Sequence, residues 1–261
     1  MKTLDMFSVE GKVVVILGGK GVYGNAMVEG FAEGSAKVYI GARTIDTLEN
    51  NAAALREKGY YVTAFKADQA DEDSLFAFRD FVLEREGRID AAVLNAVARP
   101  VSGFHCPKSE YEESMAVNGT GTFLAMRTFG DAIAENREGS IVMIGSMQGM
   151  IGPDYPMYEE AQMPGGMAAD YFFHKGGMIN LARFGGSYYG RFGVRCNCVS
   201  PGGCRSEHNT ARFAEVYGKR TQLGRMATAE DLVGTVIFLV SDASKYITGA
   251  NIPVDGGYTA K

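Results

Sequence analysis

From end to end this chain alternates short apolar runs rich in β-branched residues with segments of helical period, and few folds can take that pattern. The runs cover 12–17, 36–40, 60–66, 89–95, 140–145, 194–199 and 251–254, and the helical segments 22–34, 45–58, 71–86, 109–135, 170–190 and 229–241. Apolar residues at i, i+3 and i+4 mark a helix face, whereas a short continuous run bounded by turns fits a strand buried on both sides. Strands of that kind separated by helices pair in parallel, because each return needs a crossover. The expected fold class is therefore α/β, a doubly wound parallel sheet of about seven strands flanked by helices, with ligands bound beyond the carboxyl ends of the strands. A length of 261 residues and 46% hydrophobic content suit one such domain, and no linker, repeat or low-complexity tract divides it. Ser109-x-x-Glu112 and Thr228-x-x-Asp231 read as capping boxes. Two long stretches, 147–169 and 202–227, show neither period; both leave the carboxyl edge, where loops of that length serve as lids or substrate walls.

Charge and composition exclude several classes of function. A net charge of −5 gives no reason to expect nucleic acid or an anionic membrane surface as a partner. No apolar run approaches the ~18 residues needed to span a bilayer, and Met1-Lys2-Thr3-Leu4-Asp5 has no apolar signal core. Cys106, Cys196, Cys198 and Cys204 form no Cys-x-x-Cys pair, and Cys196 and Cys198 alternate within an apolar run as buried reduced thiols do. His105, His174 and His208 are scattered without ligand spacing, so no metal site is expected. The expected location is cytoplasmic.

The chemistry-bearing residues lie at the predicted strand ends. Gly18-Gly19-Lys20-Gly21-Val22-Tyr23-Gly24 follows the first strand and opens the first helix, where glycines permit a tight turn and let backbone N–H groups approach a pyrophosphate. In an alternating chain this is the place of the dinucleotide fingerprint. The second strand ends without the acidic residue that would hold a ribose 2′-hydroxyl; Ala42 and Arg43 stand there. Arginine accommodates a 2′-phosphate, so Arg43, with Lys20 nearby, favours NADP(H) while leaving NAD(H) open. Asp68, next to Gln69, is placed either to accept from an adenine amino group or to cap the following helix, and the sequence does not choose. Further on, Tyr171 and Lys175 are four residues apart and so share one face of a helix. A phenol ordinarily titrates near pH ~10, and a fixed positive charge beside it favours the phenolate. A tyrosine so tuned can exchange a proton with a substrate oxygen.

Taken in order, these elements resemble the short-chain dehydrogenase/reductase family over nearly the whole chain: Gly18–Gly24, Asn95-Ala96-Val97, Asn118, Ser146, Tyr171 with Lys175, Pro201-Gly202, and a tail of Tyr246 to Gly257 like that family's last strand. The resemblance implies a single Rossmann-type domain over 1–261, with 1–100 mainly binding the cofactor and 101–261 carrying catalysis and substrate. It implies Tyr171 as general acid/base, Ser146 as the donor orienting the substrate oxygen, Lys175 on the nicotinamide ribose, and Asn118 holding a relay water. Asn95, Ala96, Pro201 and Gly202 join the cofactor contacts, Gln148 and Arg205 are candidate substrate contacts, and a homotetramer or homodimer is expected. Leu17 and Val97 depart from the family's usual threonine and glycine. Ser146 and Tyr171 are also more widely spaced than usual, by an insertion within 149–169 like those of family members acting on sugars, sugar acids and polyols. The function expected is NAD(P)-dependent hydride transfer between nicotinamide and a carbonyl or secondary alcohol of a sugar acid, ketose or polyol. The alternatives are a 3-oxoacyl thioester reductase, which the acidic residues Asp154, Glu159, Glu160 and Asp170 disfavour, and a non-catalytic cofactor-binding scaffold.

Overall fold

A computed structural model of the chain describes residues 2–163, 167–207 and 209–260; His208 and the part of the insertion at 164–166 lie outside them. Seven strands, β1 (Val13–Leu17), β2 (Lys37–Ala42), β3 (Val62–Lys66), β4 (Ala91–Leu94), β5 (Gly139–Ile144), β6 (Val194–Pro201) and β7 (Asn251–Val254), form one sheet in the order β3-β2-β1-β4-β5-β6-β7. Every pairing is parallel. The order reverses between β1 and β4, and that switch point opens a crevice at the carboxyl edge. This is the doubly wound arrangement expected from the alternation.

The strands are apolar on both faces because both faces are covered. Val13, Val15 and Leu17 point into one core with Phe78, Phe129, Ile133, Met178, Cys196 and Cys198. Val14 and Ile16, one residue out of phase, point into the other with Phe31, Leu48, Val236 and Leu239. The helices supplying the second core are α1 (Val22–Glu33), α2 (Ile45–Glu57) and α9 (Glu230–Val240); those on the first are α3 (Glu72–Glu86), α5 (Thr122–Ala134) and α7 (Ala169–Gly190). Asp71 caps α3 by accepting from the N–H groups of Asp73 and Ser74, which fixes where the segment after β3 must turn. No helix of the described residues is long and apolar enough to cross a membrane.

The expected helix over 109–135 is interrupted: α4 (Lys108–Ser114) passes through a π-helical turn, Met115–Gly121, before α5. The Ser109 box is not made, because the helix starts one residue earlier with Pro107 as its N-cap. The Thr228 box is half made: Asp231 accepts from the Thr228 N–H at 2.7 Å, but the threonine hydroxyl also donates to Asp231 instead of accepting from the helix. The two stretches without a readable period are not wholly irregular. The first holds a 3-10 turn, Met147–Gly149, and α6 (Tyr155–Glu160); the second holds α8 (Ala211–Gly218). These short helices pack on each other in a third apolar cluster of Met157, Ala161, Phe213, Tyr217, Met226 and Tyr258, with Tyr158 at its edge. Arg220, just after α8, pairs with Asp154 at 3.2 Å and Glu160 at 3.3 Å.

The 3-10 turn that ends β5 lies directly against α7. A Cβ at Gly149 would stand 2.6 Å from the Lys175 carbonyl group and 2.8 Å from the Gly176 nitrogen, all backbone atoms that cannot rotate away. Gly149→Ala is expected to destabilise the protein by about 1–3 kcal/mol, as overpacking does. Gly152→Ala, whose added carbon meets nothing within 4 Å, serves as the control and should stay within about 0.5 kcal/mol of the parent. Thermal unfolding of the two variants checks this; equal melting temperatures would contradict the contact.

Candidate active site

The carboxyl ends of the central strands and the two long connections enclose an open cleft of about 760 Å³. At one end lies the glycine turn. Gly18 and Gly21 have φ of +81° and +88°, the left-handed region that glycine enters without strain. The turn is pinned by the Gly18 N–H to the Gly41 carbonyl at 2.8 Å and by the Asn95 side-chain amide to the Gly18 carbonyl at 2.6 Å. Leu17 contributes packing there, buried to 1% exposure, and the Asn95 amide supplies the side-chain hydrogen bond that Leu17 lacks. A side chain at Gly21 would meet no protein atom within 4 Å, so the amino terminus of α1 opens on unfilled space lined by its free N–H groups. That arrangement fits a pyrophosphate.

Lys20 and Arg43, both exposed, line the cleft beyond this turn together with Ala42 and Thr44. Asp71 is the cap of α3, so Asp68 is not; its carboxylate accepts from the Ala70 N–H at 3.0 Å and lines the cleft. Gln69 is buried, donating to the Val117 carbonyl and the Thr122 hydroxyl, while its Oε1 has no partner among the described residues. Ala96, Pro201 and Gly202 also line the cleft, as does Val97, whose branched side chain is 40% exposed. The Tyr23 hydroxyl donates to the Gly202 carbonyl at 3.1 Å, joining the glycine turn to the connection after β6. Gly19 lies outside the lining, against Ile40 and Val28.

At the other end, Ser146 leaves β5 and its hydroxyl accepts from the Gln148 N–H at 3.1 Å. Tyr171 and Lys175 project from consecutive turns of α7 into the same space, with the Lys175 Nζ 5.7 Å from the centre of the Tyr171 ring. Lys175 is 3% exposed and donates to the Ile144 carbonyl at 2.6 Å. Burial pushes its ammonium from the ordinary 10.5 down to about 8. His174 is buried edge-on to Tyr171, ring centres 5.2 Å apart, with neither nitrogen bonded among the described residues. Burial and the nearby Lys175 and Arg99 charges hold it down at about 3, so it is a neutral packing group.

Asn118 sits in the π-helical turn behind this wall and outside the lining. Its amide accepts from the Ala98 N–H at 2.9 Å and donates to the Ala98 carbonyl at 2.8 Å and the Ser114 hydroxyl at 2.9 Å. Both ends of the amide are thus engaged in holding the exit of β4. Gln148 lines the cleft and donates to the Tyr158 hydroxyl at 3.4 Å. Arg205 is exposed and does not line the cleft; its backbone pairs with Ala227, and Ser206 and Asn209 reach the wall instead. Three of the four acidic residues do not add to an open acidic entrance, because Asp154 and Glu160 are paired with Arg220 and Asp170 is buried against the Ser114 hydroxyl, while Glu159 is exposed.

One residue not singled out in the sequence is Arg99. Its guanidinium lies over the Tyr171 ring at 4.9 Å and lines the cleft. A signal was present: it stands four residues beyond Asn95, at a strand exit of the kind that builds sites in this architecture. The whole arrangement places a phenol and a serine hydroxyl at one end of a cleft whose other end fits a dinucleotide, which suits proton transfer coupled to redox chemistry.

Comparison with known proteins agrees with this geometry. The family model described as enoyl-(acyl carrier protein) reductase, of the short-chain alcohol dehydrogenase type, matches residues 21–259. An NADP-dependent mannitol dehydrogenase of Hypocrea jecorina is 32% identical, over 100% of this chain and 97% of the relative. An L-rhamnose 1-dehydrogenase (NAD(P)(+)) of Sphingomonas is 31% identical, over 95% and 96%. The crystal structure of a gluconate 5-dehydrogenase from Burkholderia cenocepacia, in complex with NADP and tartrate, superposes with a TM-score of 0.89 at 26% identity and covers 100% of both chains. The chain belongs to the short-chain dehydrogenase/reductase family of NAD(P)-dependent oxidoreductases.

Proposed function

We propose that the chain is an NADP(H)-preferring oxidoreductase that interconverts a secondary alcohol and a carbonyl on a sugar acid, ketose or polyol. The observation that carries this reading is the meeting of Tyr171, Lys175 and Ser146 at the end of a cleft whose glycine turn fits a dinucleotide. The nicotinamide, when bound, accepts or supplies the hydride at the substrate carbon. The Ser146 hydroxyl, already accepting from Gln148, keeps its O–H to donate a hydrogen bond that orients the substrate oxygen. Tyr171 exchanges the one proton that accompanies the hydride, giving it to or taking it from that oxygen as general acid or base. Lys175 holds a positive charge beside the phenol and offers donors to the nicotinamide ribose. Gly18, Gly21 and Asn95 shape the pyrophosphate site, with Gln69 and Asp68 toward the adenine and Arg43 with Lys20 at the 2′-phosphate. In this reading residues 1–100 mainly bind the cofactor and 101–261 carry catalysis and substrate.

The names of the mannitol and gluconate dehydrogenases favour a hydroxylated substrate and NADP. The paired state of Asp154 and Glu160 removes the electrostatic case against an acyl thioester, so it is these relatives that set that alternative aside. We also propose a cytoplasmic protein and a homotetramer or homodimer, the assembly supported by the exposed aromatic side chains Phe123 on α5 and Phe184 and Tyr188 on α7.

Three measurements test the reading. Tyr171→Phe should lower turnover by about 10²–10⁴-fold, the usual worth of general acid–base catalysis, while fluorescence titration shows NADPH still bound; unchanged activity would remove Tyr171 from the mechanism. Arg43→Leu should weaken NADPH about tenfold and leave NADH as it was, in line with the loss of an exposed charged hydrogen bond; equal effects on both would place the 2′-phosphate elsewhere. For Lys175, the unfolded chain keeps its proton up to 10.5 but the folded chain only to about 8. Stability from this group therefore rises with pH across that window, and at pH 7 the buried charge costs on the order of 3 kcal/mol. Lys175→Met is expected to melt above the parent at pH 7 and to lose that advantage toward pH 10.5; a variant melting lower at pH 7 would show that the ammonium is stabilising.

A further inference from the structure

A second recess, of about 160 Å³, adjoins the cleft and shares Arg99, Gln148, Tyr158 and Tyr171 with it, while Val101, Met167, Ala168, Asp170 and Phe172 complete its wall. Its polar groups are of two kinds. Arg99 is exposed and forms no ion pair among the described residues; its guanidinium carbon lies 4.9 Å from the centre of the Tyr171 ring. Of the arginines in the neighbouring connection, Arg212 and Arg220 pair with Glu160 and Arg225 with Asp231, while Arg205 lies outside the lining of the cleft. Asp170 is 2% exposed in the first turn of α7. One of its oxygens accepts from the Ser114 hydroxyl, and the other, Oδ1, has no partner among the described residues. A buried acceptor left unmatched is unfavourable unless a ligand brings it a donor. A guanidinium fork matches a carboxylate in two parallel hydrogen bonds, and an unmatched carboxylate oxygen matches a hydroxyl.

We propose that Arg99 sets substrate specificity by pairing with a carboxylate, so that the chain acts on a polyhydroxy acid in preference to the neutral polyol, with Asp170 Oδ1 accepting from one of its hydroxyls. The proposal rests on the reading of the cleft as the site of a hydroxylated substrate and names its class. Arg99 stands over the ring of Tyr171, so an acid held by it lies beside the proton-transfer group. The recess then takes the hydroxylated end that a shorter substrate would leave empty.

The test is binding, which does not depend on turnover. Isothermal titration of the NADP+-loaded protein with D-gluconate and with D-glucitol, the same carbon chain ending in an alcohol, is compared for the parent, Arg99→Met and Arg99→Lys. The parent should bind gluconate at least about tenfold more tightly than glucitol, as one charge-assisted pair provides. Arg99→Met should close that gap and Arg99→Lys restore part of it. Equal affinities in the parent, or a gap that survives Arg99→Met, would overturn the assignment of Arg99 while leaving a hydroxylated substrate in place. Binding of neither compound by a protein that still titrates with NADPH would overturn both, and the two failures are thereby told apart.

Discussion

A lysine ammonium buried at the end of β5 is the feature around which the rest of the site is arranged. Water would solvate such a charge on all sides; here Nζ has the Ile144 carbonyl at 2.6 Å and the Met178 sulfur at 3.6 Å. Burying it is unfavourable by itself, and nothing in the packing of the sheet requires a cation there. The charge is kept because α7 is long, rigid and packed on the sheet along its length, so that its first turns can carry a strained group while its later turns, with Met178, Ile179 and Ala182 in the core, hold the helix in place. Stability from one end of an element supports an unfavourable placement at the other.

The parallel sheet supplies the second constraint. Since every strand points the same way, every strand exit lies on one edge, and residues far apart in sequence meet there without any long-range design beyond the topology. Ser146 leaves β5, Asn95 leaves β4 and the glycine turn leaves β1. Hydrogen bonds then tie these exits to one another. Asn95 reaches the Gly18 carbonyl, Asn118 clamps both polar groups of Ala98, and Tyr23 reaches Gly202. Side-chain amides and a phenol thereby do between loops what backbone groups do between strands.

This division explains what could be read from the chain. The strands were legible because burial on both faces leaves a continuous apolar signature, and the glycine turn because its backbone demands no side chain. Tyr171 and Lys175 were legible because a fixed helical spacing expresses their contact. Asn118 could be located but not its partners, since these lie on α4 and after β4 and depend on a π-helical turn that has no sequence period. The helices α6 and α8 escaped because each is too short for periodicity; what folds them is their contact with each other. For the same reason the acidic residues of the insertion suggested an open charged surface, when Asp154 and Glu160 meet an arginine some sixty residues away. Arg99 and Arg205 each follow a strand exit, so that signal by itself does not tell them apart. Only the path of the chain after β4 and β6 brings one over the Tyr171 ring and leaves the other in solvent.

The apolar cluster shared by α6 and α8 has a consequence for how the two long connections can move. Met157 and Ala161 from one connection and Phe213 and Tyr217 from the other are buried only while the two segments stay together. Lifting either alone would wet the apolar face of both and break the ion pairs of Arg220 with Asp154 and Glu160. Parting the two connections would therefore be one cooperative event, opposed by this small core and by the ion pairs of Arg220.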